Sequence, residues 1–214
     1  MLGGNPRTST LPVSTDLNFR VKWLQYMECP PSGSARIDSF ALVCYLPGPL
    51  GTFLDRLRAE LVVTCSARSH VTILPPRPLA GPEASAKRQI SDFIPERLPF
   101  HINLGQVEVF PETKVVYLGL TCGEDHLRNL HDSLNSSALG FAEPFVYHPH
   151  VTLAQGLNPD DVQAATELAT GRWSEFQHSR SFQVETLTFV QNTTTNRWID
   201  LVEYELGSMA AVRR

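Results

Sequence analysis

Beyond about residue 35 the hydrophobic pattern switches repeatedly between a strand period and a helix period. Ser39–Leu46 is a short apolar run closed by Pro47-Gly48-Pro49, which predicts a buried strand. Leu54, Leu57 and Leu61 then recur at helical spacing. Ser69–Leu74 reads as a second strand, stopped by Pro75-Pro76, and Pro82-Glu83 suits the first turn of a helix running towards Ile94. Two strand-like runs, Ile102–Phe110 and Lys114–Leu120, flank Pro111-Glu112-Thr113 as a hairpin. The second half repeats this order. Leu127, Leu130 and Leu134 mark a helix face, and His150–Ala154 is a strand. Asn158-Pro159-Asp160-Asp161 starts a helix whose buried face is read as Val162, Ala165 and Leu168. Runs Phe182–Val190 and Arg197–Leu206, joined by Asn192–Asn196, finish the pattern.

A helix, a short histidine-bearing strand, a helix and a hairpin therefore occur twice. Phe100 lies 30 residues after His70, and Phe182 lies 32 after His150. The expected fold is α+β, with two similar lobes built from duplicated strand-helix-strand-helix-hairpin units facing one central cleft. Residues 1–35 are rich in Ser, Thr, Pro and Gly and read as an irregular extension, within which Phe19–Met27 is suited to a short helix or strand. The bilobal domain is placed at 36–207 and a C-terminal tail at 208–214.

Composition narrows the class. A net charge of −4 carries no broad basic face for a long duplex, so a nucleic-acid substrate would be short or engaged locally. Cys29, Cys44, Cys65 and Cys122 form no C-x-x-C pair, and three of them sit in or beside apolar runs, as buried thiols do. No charged and apolar leader opens the sequence, and no apolar run reaches the roughly 18–20 residues of a membrane span. A soluble, cytoplasmic and monomeric protein is expected.

The chemistry lies in the repeated strand: Ser69-His70-Val71-Thr72-Ile73 and Pro149-His150-Val151-Thr152-Leu153. Alternate side chains of a strand share a face, so each copy presents His and Thr together and turns its aliphatic residues into the packing. Phosphodiester cleavage needs one imidazole to take a proton from the attacking oxygen and another to protonate the leaving oxygen. Threonine hydroxyls can donate to the non-bridging oxygens where charge grows. Neither task requires a metal or a cofactor. A zinc site from His70, His148 and His150 lacks a carboxylate or thiolate at ligand spacing.

The paired H-Φ-T-Φ motifs resemble those of the 2H phosphoesterase superfamily, in particular its 2'-5' RNA ligase-like (LigT-like) branch of RNA cyclic phosphodiesterases. The similarity is carried by His70–Ile73 and His148–Ala154, supported by Phe40–Leu61 and the Gly105–Leu120 hairpin, and spans about residues 37–206. It implies a bilobal fold with a central cleft and activity on 2',3'-cyclic phosphate ends or 2'-5' linkages. By the same resemblance His70 and His150 are catalytic, and Thr72 and Thr152 contact phosphate. The expected partner is an RNA end or a cyclic nucleotide. Ala154 and Gln155 stand where family members often carry a basic residue. Arg77 is a candidate compensating cation, or else a solvated surface arginine.

Tyr147 and Phe110 are candidates for stacking a nucleobase. His148, two residues before His150, either shares its face or sits at the strand edge, and joins the substrate-binding set. Arg68 and Arg197 are within sequence reach of phosphate, whereas His101, His126, His131 and His178 read as solvated. The alternative to an enzyme is a nucleotide- or RNA-end-binding module with little catalysis, although binding alone does not need two imidazoles.

Overall fold

A computed structural model of the protein describes residues 35–62 and 67–208. Phe19–Met27, Cys29, Cys65 and nearly all of the two terminal segments lie outside the described residues. Strand β1 (Arg36–Tyr45) leads into helix α1 (Leu50–Leu61), the first motif strand β2 (His70–Arg77) and helix α2 (Glu83–Phe93). The hairpin β3 (Phe100–Val109) and β4 (Val116–Cys122) follows, then α3 (Glu124–Leu134) and the second motif strand β5 (Val151–Ala154). Helix α4 (Val162–Ser174) and strands β6 (Ser181–Val184), β7 (Thr186–Thr193) and β8 (Ile199–Glu205) complete the order.

The strands form two four-stranded sheets, ordered β2-β1-β7-β8 and β5-β4-β3-β6, with antiparallel pairing throughout. The two expected lobes are present, and each sheet takes strands from both halves of the chain. After α2 the chain crosses to place β3 beside β4, and after β6 it crosses back to place β7 beside β1. The helices are exchanged in the same sense, since α1 contacts β5 and α3 contacts β2. Both motif strands are sheet edges, and they touch each other. One continuous core runs through both sheets, from Leu42, Ile73 and Phe189 to Leu118, Val151 and Trp173.

Three expectations are corrected. Pro75-Pro76 does not end β2, which continues to Arg77. As an edge strand β2 needs ladder bonds on one side only, and a register irregularity against β1 between Phe40 and Leu42 absorbs the prolines. The single run Phe182–Val190 divides at Glu185 into β6 and β7, which belong to different sheets. The buried face of α4 is Val162, Ala169 and Trp173, whereas Leu168 is 41% exposed. Trp173 fixes that rotation, because its indole packs on Phe53 and Phe176 and donates a 2.9 Å bond to the Gly105 carbonyl. Cys44 is buried as expected, and Cys122, at the end of β4, is exposed.

Candidate active site

The period-2 reading of both motifs holds side chain by side chain. On β2, Val71 and Ile73 are fully buried while His70 and Thr72 are half-buried. Val151 and Leu153 are likewise buried, with His150 and Thr152 half-buried beside them. A fully buried aliphatic residue behind each polar one anchors the strand, so each imidazole sits on a fixed backbone.

The two histidines share one geometry. His70 Nδ1 lies 2.7 Å from the Arg68 carbonyl, and His150 Nδ1 lies 2.7 Å from the His148 carbonyl. A carbonyl only accepts, so each Nδ1 carries the proton and donates it. Nε2 is then the nitrogen left to exchange a proton with a substrate. His150 Nε2 is 3.1 Å from Thr152 Oγ1, which therefore donates to it while the ring is neutral. Burial is the main reason both rings are driven down to about 4, against the pull of their carbonyl partners. For His70 the Arg58 guanidinium and the charge of His150 add to this.

Each ring also has an aromatic wall from the neighbouring strand. Tyr45, the β1 register partner of His70, meets it edge to face at 6.3 Å. The Arg68 guanidinium lies 3.7 Å above the Tyr45 ring, and both reach Asp200, Tyr45 through a 2.6 Å hydrogen bond. On the other side Phe110 stacks on Tyr117 at 4.0 Å, and both present their rings to His150 at 5.0 and 5.3 Å. His148 packs edge-on against Phe110 and Tyr117. Arg68 and His148 thus occupy equivalent places, two residues before a motif histidine, each giving its carbonyl to that ring. Beneath the first motif, Asp55 on α1 accepts the Ser69 amide at 2.6 Å, and buried Arg58 donates to the Arg68 carbonyl at 3.3 Å.

Two residues expected to meet substrate are buried among protein partners. The Arg77 side chain is 0% exposed and ion-paired with Glu143. It also donates to the carbonyls of Pro75 and Leu139 and to Asn135 Oδ1. It is a buried cation satisfied from every side. Tyr147 is 9% exposed, stacked flat on His131 at 4.0 Å, with its hydroxyl bonded to the Thr72 carbonyl at 2.7 Å. His131, read as solvated, is buried and held between Glu143 and Asp132 at 2.9 and 2.8 Å. The sequence reading missed Tyr45, Tyr117, Asp55 and Arg58. Their one available signal is pairwise: Tyr45 and Tyr117 sit on the strands that precede α1 and α3, each bordering a motif strand. Among the described residues no group of three or more His, Cys, Asp or Glu side chains is disposed to hold a metal ion. No described helix is long and apolar enough to cross a membrane.

A family model described as the 2'-5' RNA ligase superfamily matches residues 47–196, an interval that contains both motifs. The chain belongs to that superfamily. No curated protein matches the chain. Solved structures do. Escherichia coli LigT complexed with 3'-AMP is 18% identical, with a TM-score of 0.57 over 79% of this chain and 98% of that one. LigT complexed with NADP+ gives 19% identity and a TM-score of 0.56, again over 79% and 98%. TT0787 of Thermus thermophilus gives 14% and 0.53 over 80% and 99%. At these identities the likeness is one of fold: this 2'-5' RNA ligase superfamily member has the LigT-like two-lobed architecture.

Proposed function

We propose that this protein is a metal-independent phosphodiesterase that opens 2',3'-cyclic phosphates of RNA ends or nucleotides by two-histidine acid–base catalysis. The observation that carries the reading is the matched pair of rings. His70 opens β2 and His150 directly precedes β5, two touching edge strands, each ring with Nδ1 tied to a carbonyl and Nε2 left for chemistry. Membership of the 2'-5' RNA ligase superfamily and a fold shared with a nucleotide-complexed LigT support it.

His150 is assigned as the base, since its Nε2 lone pair already accepts the Thr152 hydroxyl. It takes a proton from water as the water oxygen bonds to phosphorus. The bond from phosphorus to one ribose oxygen breaks, and His70, protonated on Nε2, gives that oxygen its proton. A phosphomonoester and a free hydroxyl result, and exchange with solvent resets both rings. The Thr72 and Thr152 hydroxyls turn to the non-bridging oxygens and stabilise the charge that builds there. With a 5'-hydroxyl in place of water, the same transfers would form a 2'-5' linkage.

The cleft offers Arg68 and Tyr45 on one wall and Phe110, Tyr117 and His148 on the other. It therefore suits a substrate with an anionic phosphate and a flat base. Incubation with nucleoside 2',3'-cyclic phosphates and 2'-5' linked dinucleotides in excess EDTA tests the reading. Conversion to a single regioisomeric monophosphate is expected. Absence of turnover on every member, with nucleotide binding retained, would favour the binding-module alternative.

A further inference from the structure

Tyr147 joins the two motifs through their backbones. It lies three residues before His150, and its hydroxyl donates to the carbonyl of Thr72, the phosphate-facing residue of the other motif. β2 is an edge strand, so its outer row of backbone groups has no strand partner, and Tyr147 takes one of them. Its own placement is fixed at two further points by α3. Arg128 Nη1 donates to the Tyr147 carbonyl at 2.5 Å, and the His131 ring lies parallel to the phenol at 4.0 Å. Arg128 and His131 lie on one face of α3, and Asn135, the residue that caps its C-terminus, holds Arg77, seven residues beyond His70. Glu143 closes the circuit by binding both His131 and Arg77. A polar network buried at Arg77 and His131 thus runs from one end of β2, along α3, to the segment that carries His150. Buried networks of this kind hold one geometry when every member is satisfied.

We infer that Tyr147 is a positioning residue: its hydroxyl sets Thr72 and His70 at their working distance from His150, without touching substrate. This rests on the two-histidine reading and extends it to the spacing between the motifs. A small error in that spacing is felt in the chemical step more than in binding, because proton transfer to the leaving oxygen depends steeply on distance.

The test compares Tyr147→Phe with Tyr204→Phe. Tyr204 also donates to a carbonyl, that of Lys87 at 3.3 Å, and serves as a control for the loss of a tyrosine hydroxyl outside the motifs. In Tyr147→Phe kcat is expected to fall about tenfold with KM changed less than about twofold. Tyr204→Phe is expected to keep its kcat. An unchanged kcat in Tyr147→Phe, with the same loss of Tm as the control, overturns the inference. Histidine NMR titrations of the ligand-free proteins supply a reading that needs no turnover. His70 is surrounded by Arg58, Asp55, Arg68 and His150, so loosening β2 from β5 should move its midpoint towards the ordinary 6.5 in Tyr147→Phe alone. An unmoved His70 overturns the inference even if the enzyme acts on none of the proposed substrates. Full activity of His70→Ala would instead remove the two-histidine reading while leaving that titration informative.

Discussion

His150 Nε2 and Thr152 Oγ1 are 3.1 Å apart, so in the resting protein the second motif is closed on itself. The hydroxyl that is to serve phosphate is bonded to the ring that is to serve water. In the proposed mechanism substrate binding exchanges that bond for one to a non-bridging oxygen, which leaves the lone pair of His150 open at the moment a proton needs it. Thr152→Val removes the donor and keeps the shape. Its kcat/KM for a 2',3'-cyclic nucleotide is expected to fall about a hundredfold, the size seen when one donor to developing charge is lost. Steady-state kinetics of the valine variant, with Thr72→Val in parallel, check this.

The His70 and His150 rings are held near 4, so each is neutral through most of the neutral range. Catalysis needs one neutral and one protonated ring, and the free enzyme is richest in that state on the acid side of 6.5. The kcat/KM profile is therefore expected to be bell-shaped with its maximum below 6.5, falling as rising pH strips the acid. A bound phosphate anion favours protonated rings, so the alkaline limb of kcat should lie at higher pH than that of kcat/KM. Rates across pH 4–9 measure both limbs.

The same shifts act on stability, with opposite signs for different histidines. For His70 and His150 the folded values lie below the unfolded value of about 6.5. Their contribution is full above 6.5 and is lost as pH falls from 6.5 towards 4, where the unfolded chain binds protons first. Burial opposes the charge of His131, but hydrogen bonds to Glu143 and Asp132 outweigh it and hold this ring above its ordinary value. Its contribution is full below about 6.5 and is lost as pH rises through the folded value. Tm should pass through a maximum, and His131→Gln should flatten only the alkaline side. Thermal melts at constant ionic strength show it.

Much of this site was legible in the sequence. A strict alternation with two polar and two aliphatic positions leaves little choice about which face of β2 or β5 is buried, and the structure follows it at His70, Thr72, His150 and Thr152. The burial of Arg77 and Tyr147 was not legible because it depends on α3, a helix distant in sequence. Its Arg128 and His131, with the capping Asn135, look like a solvated polar face until β2 is packed against them. The crossing from β6 to β7 was hidden for a related reason. Both strands bury apolar residues, in different sheets, and only exposed Glu185 interrupts the run.

Arg77 yields an energetic prediction in place of a kinetic one. Truncating it leaves the nearly buried Glu143 carboxylate with His131 alone, and removing one member of a buried charge network in this way costs ~3–5 kcal/mol. Arg77→Ala is expected to lower the midpoint of urea unfolding sharply, while any folded fraction keeps the wild-type KM. A raised KM with undiminished stability would return Arg77 to the substrate.

Arg68 behaves in the opposite way. Its side chain is 60% exposed and its pairing with Asp200 at 3.4 Å is loose, so it adds little to stability. Arg68→Ala is expected to raise KM several-fold, to leave Tm within about a degree, and to weaken the dependence of kcat/KM on salt. Kinetics at two ionic strengths separate these effects.

In the proposed mechanism His70 and His150 act as one acid–base pair. Its most direct test is kcat/KM for cyclic phosphate opening, in excess EDTA, by wild type, His70→Ala, His150→Ala and the double variant. Groups that act as a unit lose activity together, so each single change is expected to cost about a thousandfold or more, and the double variant little beyond that. Independent, multiplying losses, or a single variant that retains wild-type turnover, would show that the two histidines do not act as a pair.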